Sequence, residues 1–121
     1  VPKMMVYAIA DFINKSAGKP LIPVNTIEKA PSAELRENQT DQDSLPPYEV
    51  LDAILERYVE RDMDIPKIIA SGFDKELVIE VARKVDRNEY KRKQAATGLK
   101  VTSRAFGTGR RMPIAARHRY L

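Results

Sequence analysis

Residues 46–60 read PPYEVLDAILERYVE, and this stretch predicts the best-defined helix of the chain. The proline pair suits a helix start, because the first turn tolerates a residue without an N–H group. One face then carries Leu51, Ile54, Leu55, Tyr58 and Val59, and the opposite face is charged. Because residues three and four apart share a helix face, this pattern is that of an amphipathic helix.

Weaker helical patterns flank this stretch. Apolar residues at positions 5, 6, 9, 12 and 13 predict a helix within residues 1–18, ending at Gly18. Asp64 and Asp74 are expected to cap two helices, and Asp86, with Glu89 three residues later, to restart a helix that ends at Gly98. We therefore predict a mainly α chain: helix 1–18, a proline-rich loop with short turns over 19–46, helices within 47–97 and a basic arm over 98–121.

The composition excludes several classes of protein. The chain has no cysteine, so it forms no disulfide, thiolate zinc site or cysteine nucleophile. Its single histidine, His118, lies near the end and is expected to be incidental. No apolar run is long enough to span a membrane and no leader is recognisable, so a cytoplasmic protein is expected. Asp41 and Asp43 are either solvated or a weak cation site, and we assign no metal ligand.

Charge is distributed unevenly along the chain. Residues 1–82 hold 9 Lys and Arg against 15 Asp and Glu, whereas residues 83–121 hold 12 against 2. Such a basic third implies an anionic partner, which is a nucleotide, a nucleic acid, an acidic surface or the acidic body of the same chain. Within it, Lys84, Arg87 and Lys91 recur at helical spacing, which fits either a solvated face or an anion clamp. Residues 107–111, GTGRR, are a weaker candidate for a phosphate loop.

Three stretches carry a family resemblance. They are VPKMMVYAIADFIN (1–14), EKAPSAELRENQTDQDSLPPYEVLDAILERYVE (28–60) and VDRNEYKRKQAATGLKVTSRAFGTGRRMPIAARHRY (85–120). Together they resemble the C-terminal part of NAD synthetase, in its bacterial glutamine-dependent branch. The resemblance implies the C-terminal helical portion of a Rossmann-like α/β domain of the adenine nucleotide alpha hydrolase type. It also implies a reaction in which ATP, with Mg²⁺, adenylates deamido-NAD and ammonia displaces AMP to give NAD.

The resemblance assigns roles to individual residues. Lys3 and Ser32 are expected to contact ATP, and Tyr90 and Lys91 to contact deamido-NAD. The first residue of that pair is histidine in the ammonia-dependent branch, so the tyrosine is a departure. In the basic arm, Lys100, Arg104, Arg110 and Arg111 are expected to contact either an anion or another subunit.

The sequence also departs from the whole enzyme. The Ser-Gly-Gly-x-Asp-Ser pyrophosphatase loop and the glutaminase domain are absent from residues 1–121, so the isolated chain is expected to be inactive and to bind no cofactor tightly. Its thin core predicts a homodimer or higher homo-oligomer. The alternative is a small basic helical module that binds nucleic acid or drives oligomerisation. Nucleic acid is disfavoured because few aromatic residues interleave with the basic ones.

The polar run of residues 37–44 stands between Ser32 and the central helix. Its position within the family resemblance predicts a flap at the nucleotide site, hinged at Pro46 and Pro47. Residues Glu37 to Ser44 are accordingly expected to be the most mobile internal segment.

Overall fold

The computed structural model describes residues 1–32, 39–96, 98–104, 109–110, 112–115 and 120. Regular structure within these residues is helical, and none of them lies in a strand. This confirms the mainly α prediction.

Six α-helices form the framework of the described residues: α1 (Lys3–Ala17), α2 (Val24–Glu28), α3 (Tyr48–Leu55), α4 (Ile65–Ala70), α5 (Lys75–Arg87) and α6 (Glu89–Gln94). A 3-10 turn covers Asp41–Asp43, and a π-helical turn, Glu56–Glu60, follows α3 directly. In this wider turn Arg61 N–H donates to the Glu56 carbonyl at 2.9 Å, a spacing of five residues. The turn is followed by Asp62 in a left-handed conformation, with φ of 54°. The amphipathic pattern predicted one continuous helix and gave no sign of this change.

The chain divides into two compact units, Val1–Asp52 and Ala53–Leu121. In the first unit, α1 ends at Gly18, whose φ of 63° is left-handed and favours glycine. The Asn14 side chain donates to the Ile22 carbonyl at 2.9 Å and accepts from the Ile22 N–H at 2.8 Å, which holds the following segment against α1.

The predicted apolar face of α1 is solvent-exposed. Its exposed fractions run from 38% for Ile13 to 69% for Phe12, with Met5, Val6 and Ile9 between them. Ala10 is the one buried apolar residue among those described in the first unit. The described residues of this unit therefore have little core of their own.

The second unit has a defined core. Its buried apolar side chains come from α3, α4 and α5: Ile54, Ile68, Val78, Val81 and Ala82. Helix α4 packs against α5 and the π-helical turn, and α5 packs against α6. Burying the apolar faces of such short helices supplies most of their stability, because isolated helices of this length are marginal in water.

Only one of the predicted helix starts has the expected side-chain cap. Asp74 caps α5 as expected, since its carboxylate accepts the Leu77 N–H at 2.9 Å. Asp64 precedes α4 but its side chain makes no capping hydrogen bond. The prediction that a helix restarts at Asp86 and ends at Gly98 is wrong: Asp86 is buried within the last turn of α5, and α6 begins after Asn88 and ends at Gln94.

Asp74→Ala should lower the free energy of unfolding by about 1 kcal/mol, because it removes an acceptor from the first turn of α5. Asp64→Ala is the matched control: it also removes an N-cap carboxylate, but one that makes only an exposed ion pair with Lys67 at 3.3 Å. Such surface pairs contribute little. Urea unfolding followed by circular dichroism compares the two. Equal losses would contradict the assignment of Asp74 as the working cap.

Candidate functional site

Lys3, one of the predicted ATP-contacting residues, lies between two aromatic rings. Its ammonium is 5.2 Å from the centroid of the Tyr7 ring and 5.7 Å from that of Tyr48, within the range of a cation–π contact. Among the described residues, no carboxylate lies within ion-pair distance of this ammonium. The positive charge of Lys3 is therefore oriented but not neutralised.

Carboxylates from the polar run and α3 hold this arrangement. Asp41 accepts a hydrogen bond from the Tyr48 hydroxyl, and Asp52 accepts the Met4 N–H at the start of α1 at 2.8 Å. Burial, followed by the hydrogen bond to Asp41, raises the pKa of Tyr48 to about 12, so the phenol is neutral at ordinary pH. The Lys3 side chain is thus placed by Tyr48, and Tyr48 by Asp41.

The described part of the polar run has regular local structure. Thr40 and Asp43 form a capping box around the 3-10 turn, with Thr40 N–H donating to Asp43 Oδ2 at 2.7 Å. The Asp41 N–H donates to the Pro31 carbonyl at 2.8 Å. Residues 37 and 38 lie outside the described residues, so the mobility of 37–44 remains a prediction. Ser32, the other predicted ATP contact, is half-buried.

Tyr90 and Lys91, the predicted deamido-NAD contacts, lie on α6 in the second unit. Both are exposed, Tyr90 by 44%. Glu89 and Arg92 of the same helix are turned inward: Glu89 is 2% exposed and accepts from Arg92 Nε at 2.9 Å in a two-bond ion pair. Helix α6 therefore has a buried ionic face and an exposed face carrying Tyr90 and Lys91.

A buried carboxylate organises the C-terminal residues of this unit. Asp86 Oδ1 accepts from Arg110 Nη2 at 2.8 Å, and Oδ2 accepts from the hydroxyls of Tyr58 and Tyr120 at 2.8 and 2.7 Å. The Arg110 guanidinium also lies over the Tyr58 ring, 4.8 Å from its centroid. Arg83 makes a similar contact with the Tyr120 ring at 5.5 Å. We call Asp86, Tyr58, Arg110 and Tyr120 the Asp86 cluster.

The hydrogen bonds of the Asp86 cluster stabilise the charged forms of Asp86 and Arg110 and the protonated form of Tyr58. Burial alone would raise the pKa of Asp86, but hydrogen bonds from Tyr120, Arg110 and Tyr58 together lower it below its usual value. Burial likewise opposes the charge of Arg110, yet its hydrogen bond to Asp86 leaves the Arg110 pKa raised. Burial and the hydrogen bond to Asp86 raise the pKa of Tyr58 to about 12. Both charges are therefore kept, and both phenols stay protonated as donors.

The predicted arm residues occupy different environments. Arg104 pairs with Asp62 at 3.6 Å, next to a hydrogen bond from Ser103 Oγ to Glu60 at 3.0 Å. Arg110 is only 7% exposed and forms an ion pair with Asp86. Lys100 is exposed. Arg111 and His118 lie outside the described residues. Arg104 thus binds a carboxylate of the acidic part of the chain, one of the partners that the charge distribution allowed, whereas Arg110 binds a carboxylate of the basic third itself.

The sequence did not identify the Asp86 cluster. Its members are 24, 28 and 34 residues from Asp86 along the chain, too far apart for any helical period to relate them. One signal was available: Asp86 and Glu89 are the only two carboxylates in the basic third of the sequence. Both are buried beside an arginine, because a buried acid needs a charged or hydrogen-bonding partner.

The described part of the chain offers neither a membrane-spanning helix nor a metal-binding cluster. Its helices include none long and apolar enough to cross a membrane. It also contains no group of three or more histidine, aspartate or glutamate side chains that could hold a metal ion. We therefore assign no magnesium ligand among these residues.

Comparison with known proteins identifies the family. The NAD synthase family model matches residues 1–95. The glutamine-dependent NAD(+) synthetase of Thermotoga maritima is 51% identical over 117 residues, and that of Acinetobacter baylyi is 54% identical over 114. These matches cover 97% and 94% of this chain, but only 20% and 21% of the relatives, so the chain spans about a fifth of their length.

A solved structure supports the same assignment. Glutamine-dependent NAD+ synthetase from Acinetobacter baumannii, in complex with ADP, superimposes with a TM-score of 0.57 at 46% identity. The match covers 94% of this chain and 19% of that one. The chain belongs to the NAD synthase family, and the predicted resemblance to the C-terminal part of the glutamine-dependent enzymes is confirmed.

The Asp86 cluster predicts an acid-dependent loss of stability. Because folding lowers the pKa of Asp86, its contribution is fully present above the unfolded value, near 3.8, and is lost as pH falls through the lower folded pKa. Asp86→Asn should therefore flatten the fall in unfolding free energy below about pH 4, and should cost about 3 kcal/mol at pH 7 by leaving Arg110 unpaired. Urea unfolding between about pH 2 and 7 measures both effects.

Asp62→Asn is the control for this change of charge. Its carboxylate is exposed and paired with Arg104 at 3.6 Å, and asparagine tolerates the left-handed φ of 54°. Tyr58→Phe, which removes one donor to Asp86 but keeps the ring, should cost about 1 kcal/mol. If the unfolding free energy of Asp86→Asn fell with acid as steeply as that of the wild-type chain, the stabilising role of the Asp86 charge would be contradicted.

Proposed function

We propose that this chain contributes nucleotide-binding residues to a NAD synthetase that joins ammonia to deamido-NAD at the expense of ATP. The observation that carries the proposal is the continuous family match over residues 1–95, which includes Lys3, Ser32, Tyr90 and Lys91. The chain spans about a fifth of the length of its relatives. The other residues of the site would therefore come from segments like those that make up the remaining four fifths of these enzymes.

On the ATP side, the proposal places Lys3 at the phosphates and Ser32 as a hydrogen-bonding neighbour. The support for Lys3 is local: its ammonium lies over two rings and has no carboxylate partner among the described residues. A cation that is held but not neutralised suits the developing charge of a transferred adenylyl group. The ADP bound by the Acinetobacter baumannii enzyme is consistent with an adenine nucleotide at this family's site.

On the deamido-NAD side, the proposal places Lys91 as an anion contact with Tyr90 beside it. Both are exposed on α6, and no described carboxylate pairs with Lys91. An ammonium recognises a phosphate or carboxylate as a point charge, and an exposed phenol ring offers a face for stacking. Lys100, Arg104 and Arg111 remain candidates for anion or subunit contacts, whereas Arg110 acts inside the Asp86 cluster.

The complete enzyme would work in the cytoplasm with ATP and Mg²⁺, which assists the release of pyrophosphate. The chain's own residues would bind and orient the two nucleotides and help to exclude water from the acyl-adenylate. Residues 1–121 alone would not catalyse the reaction, since the pyrophosphatase loop is absent from them.

A chimera tests the proposed function. The matching C-terminal fifth of the Acinetobacter baylyi enzyme is replaced by this chain, and NAD formation from deamido-NAD, ATP and ammonia is measured. We expect turnover within about tenfold of the parent enzyme, because the two segments are 54% identical. In the active chimera, Lys91→Ala should raise KM for deamido-NAD about tenfold by removing one charged contact.

The control chimera carries the relative's own segment between the same junctions. Lys93→Ala, which removes another exposed cation from α6, should leave KM for deamido-NAD unchanged. A folded chimera without activity beside an active control would overturn the proposal. An unchanged KM in Lys91→Ala would remove Lys91 from the site.

We also propose that the exposed face of α1 makes the isolated chain self-associate. Phe12 is 69% exposed and, with its apolar neighbours, forms an exposed apolar patch. Burying such a patch against a second copy of the chain is favourable. Light scattering at high concentration should give an average mass above 13.7 kDa, and Phe12→Glu should lower that mass while Lys15→Glu on the same helix should not. A monomeric wild-type chain would contradict this.

A further inference from the structure

Helix α6 is too short to hold its own position. It has six residues, it follows a break at Asn88, and the Asn88 side chain makes no capping hydrogen bond to it. Helices of one to two turns are unstable in isolation. The direction in which α6 presents Lys91 must therefore be set by contacts outside the helix.

Arg92 makes such a contact from the inward face of α6. Glu89, 2% exposed, pairs with Arg92 three residues along, so both project from the inward face. Arg92 Nη2 also donates to the Arg110 carbonyl at 2.6 Å. The inward face of α6 is thus attached to the C-terminal arm through Arg110.

Arg110 is fixed in turn by the Asp86 cluster. Its guanidinium donates to Asp86 and stacks on Tyr58, while Tyr58 and Tyr120 hydrogen-bond to the other carboxylate oxygen. A continuous series of contacts therefore runs from Asp86 through Arg110 and Arg92 to α6. Asp86 lies on α5, whose Val78, Val81 and Ala82 belong to the buried core, so the series begins on a helix that is packed into that core.

We propose that Asp86 is a positioning residue that acts through Arg110 and Arg92 to orient α6 and thereby place the Lys91 ammonium against the deamido-NAD anion. The orienting part concerns this chain alone; the nucleotide part rests on the proposed function. Asp86 itself has no route to the nucleotide in this assignment, since both of its oxygens are occupied inside the cluster.

The first arm of the test measures orientation on this chain without any nucleotide. Amide hydrogen exchange at Lys91 and Arg92 should quicken at least tenfold in Asp86→Asn, and less in Tyr58→Phe. It should be unchanged in Asp62→Asn, which loses an exposed carboxylate of the same charge. If the Asp86→Asn chain does not fold, the exchange rates of the Lys91 and Arg92 amides in Tyr58→Phe test the proposal instead. Unchanged exchange at these amides in a variant that disrupts the cluster would overturn the proposal.

The second arm measures coupling in the active chimera. Asp86→Asn should raise KM for deamido-NAD about tenfold and leave KM for ATP unchanged, a selectivity that general destabilisation would not give. Combined with Lys91→Ala, it should add nothing to the effect of Lys91→Ala alone, because two residues acting in one series are not additive. A multiplicative effect of about a hundredfold would overturn the positioning role.

The two arms separate the two ways of failing. If Lys91→Ala leaves KM unchanged while Asp86→Asn quickens exchange at α6, the proposed function of Lys91 fails and the orienting role stands. If Lys91→Ala raises KM and Asp86→Asn changes neither exchange nor KM, the positioning proposal fails and the proposed function stands.

Discussion

The buried carboxylate of Asp86 is the interaction on which the second unit's C-terminal residues depend. It gathers one guanidinium and two phenols from positions far apart in sequence, Tyr58, Arg110 and Tyr120. A buried charge is tolerated only when such donors surround it, and removal of one leaves the others unpaired. The Asp86 cluster therefore joins the C-terminal arm, α5 and the π-helical turn at one polar site, in addition to the apolar core of the unit.

This explains part of the chain's charge asymmetry. The basic third has only Asp86 and Glu89 as acids, and each is buried against an arginine of that same third. A third arginine, Arg104, pairs with Asp62 of the acidic part. Three arginines of the basic third, which the composition alone would assign to an external anion, thus pair with carboxylates of the chain itself. Lys91 and Lys100 are exposed and pair with no carboxylate of the described residues.

Local features of the fold were predictable and distant ones were not. The α1 and α3 patterns, the Asp74 cap and the Gly18 stop depend on neighbours within about four residues, which periodicity and capping rules describe. Asp86, with Glu89 three residues on, was wrongly predicted to restart a helix, because its burial cannot be seen in the local sequence. For the candidate site, the proposed roles of Lys3 and Lys91 came from resemblance. The contacts of Lys3 with Tyr48 and of Arg92 with Arg110 became visible only in the tertiary structure.

The most direct test of the central claim is the ionisation of Asp86 itself. A carbon-13 NMR titration of the side-chain carboxyl reports its pKa in the folded chain. Our account predicts that Asp86 titrates below 3.8, because Arg110 and two phenols donate to its charged form. A value at or above 3.8 would show that burial outweighs those donors and would contradict the account.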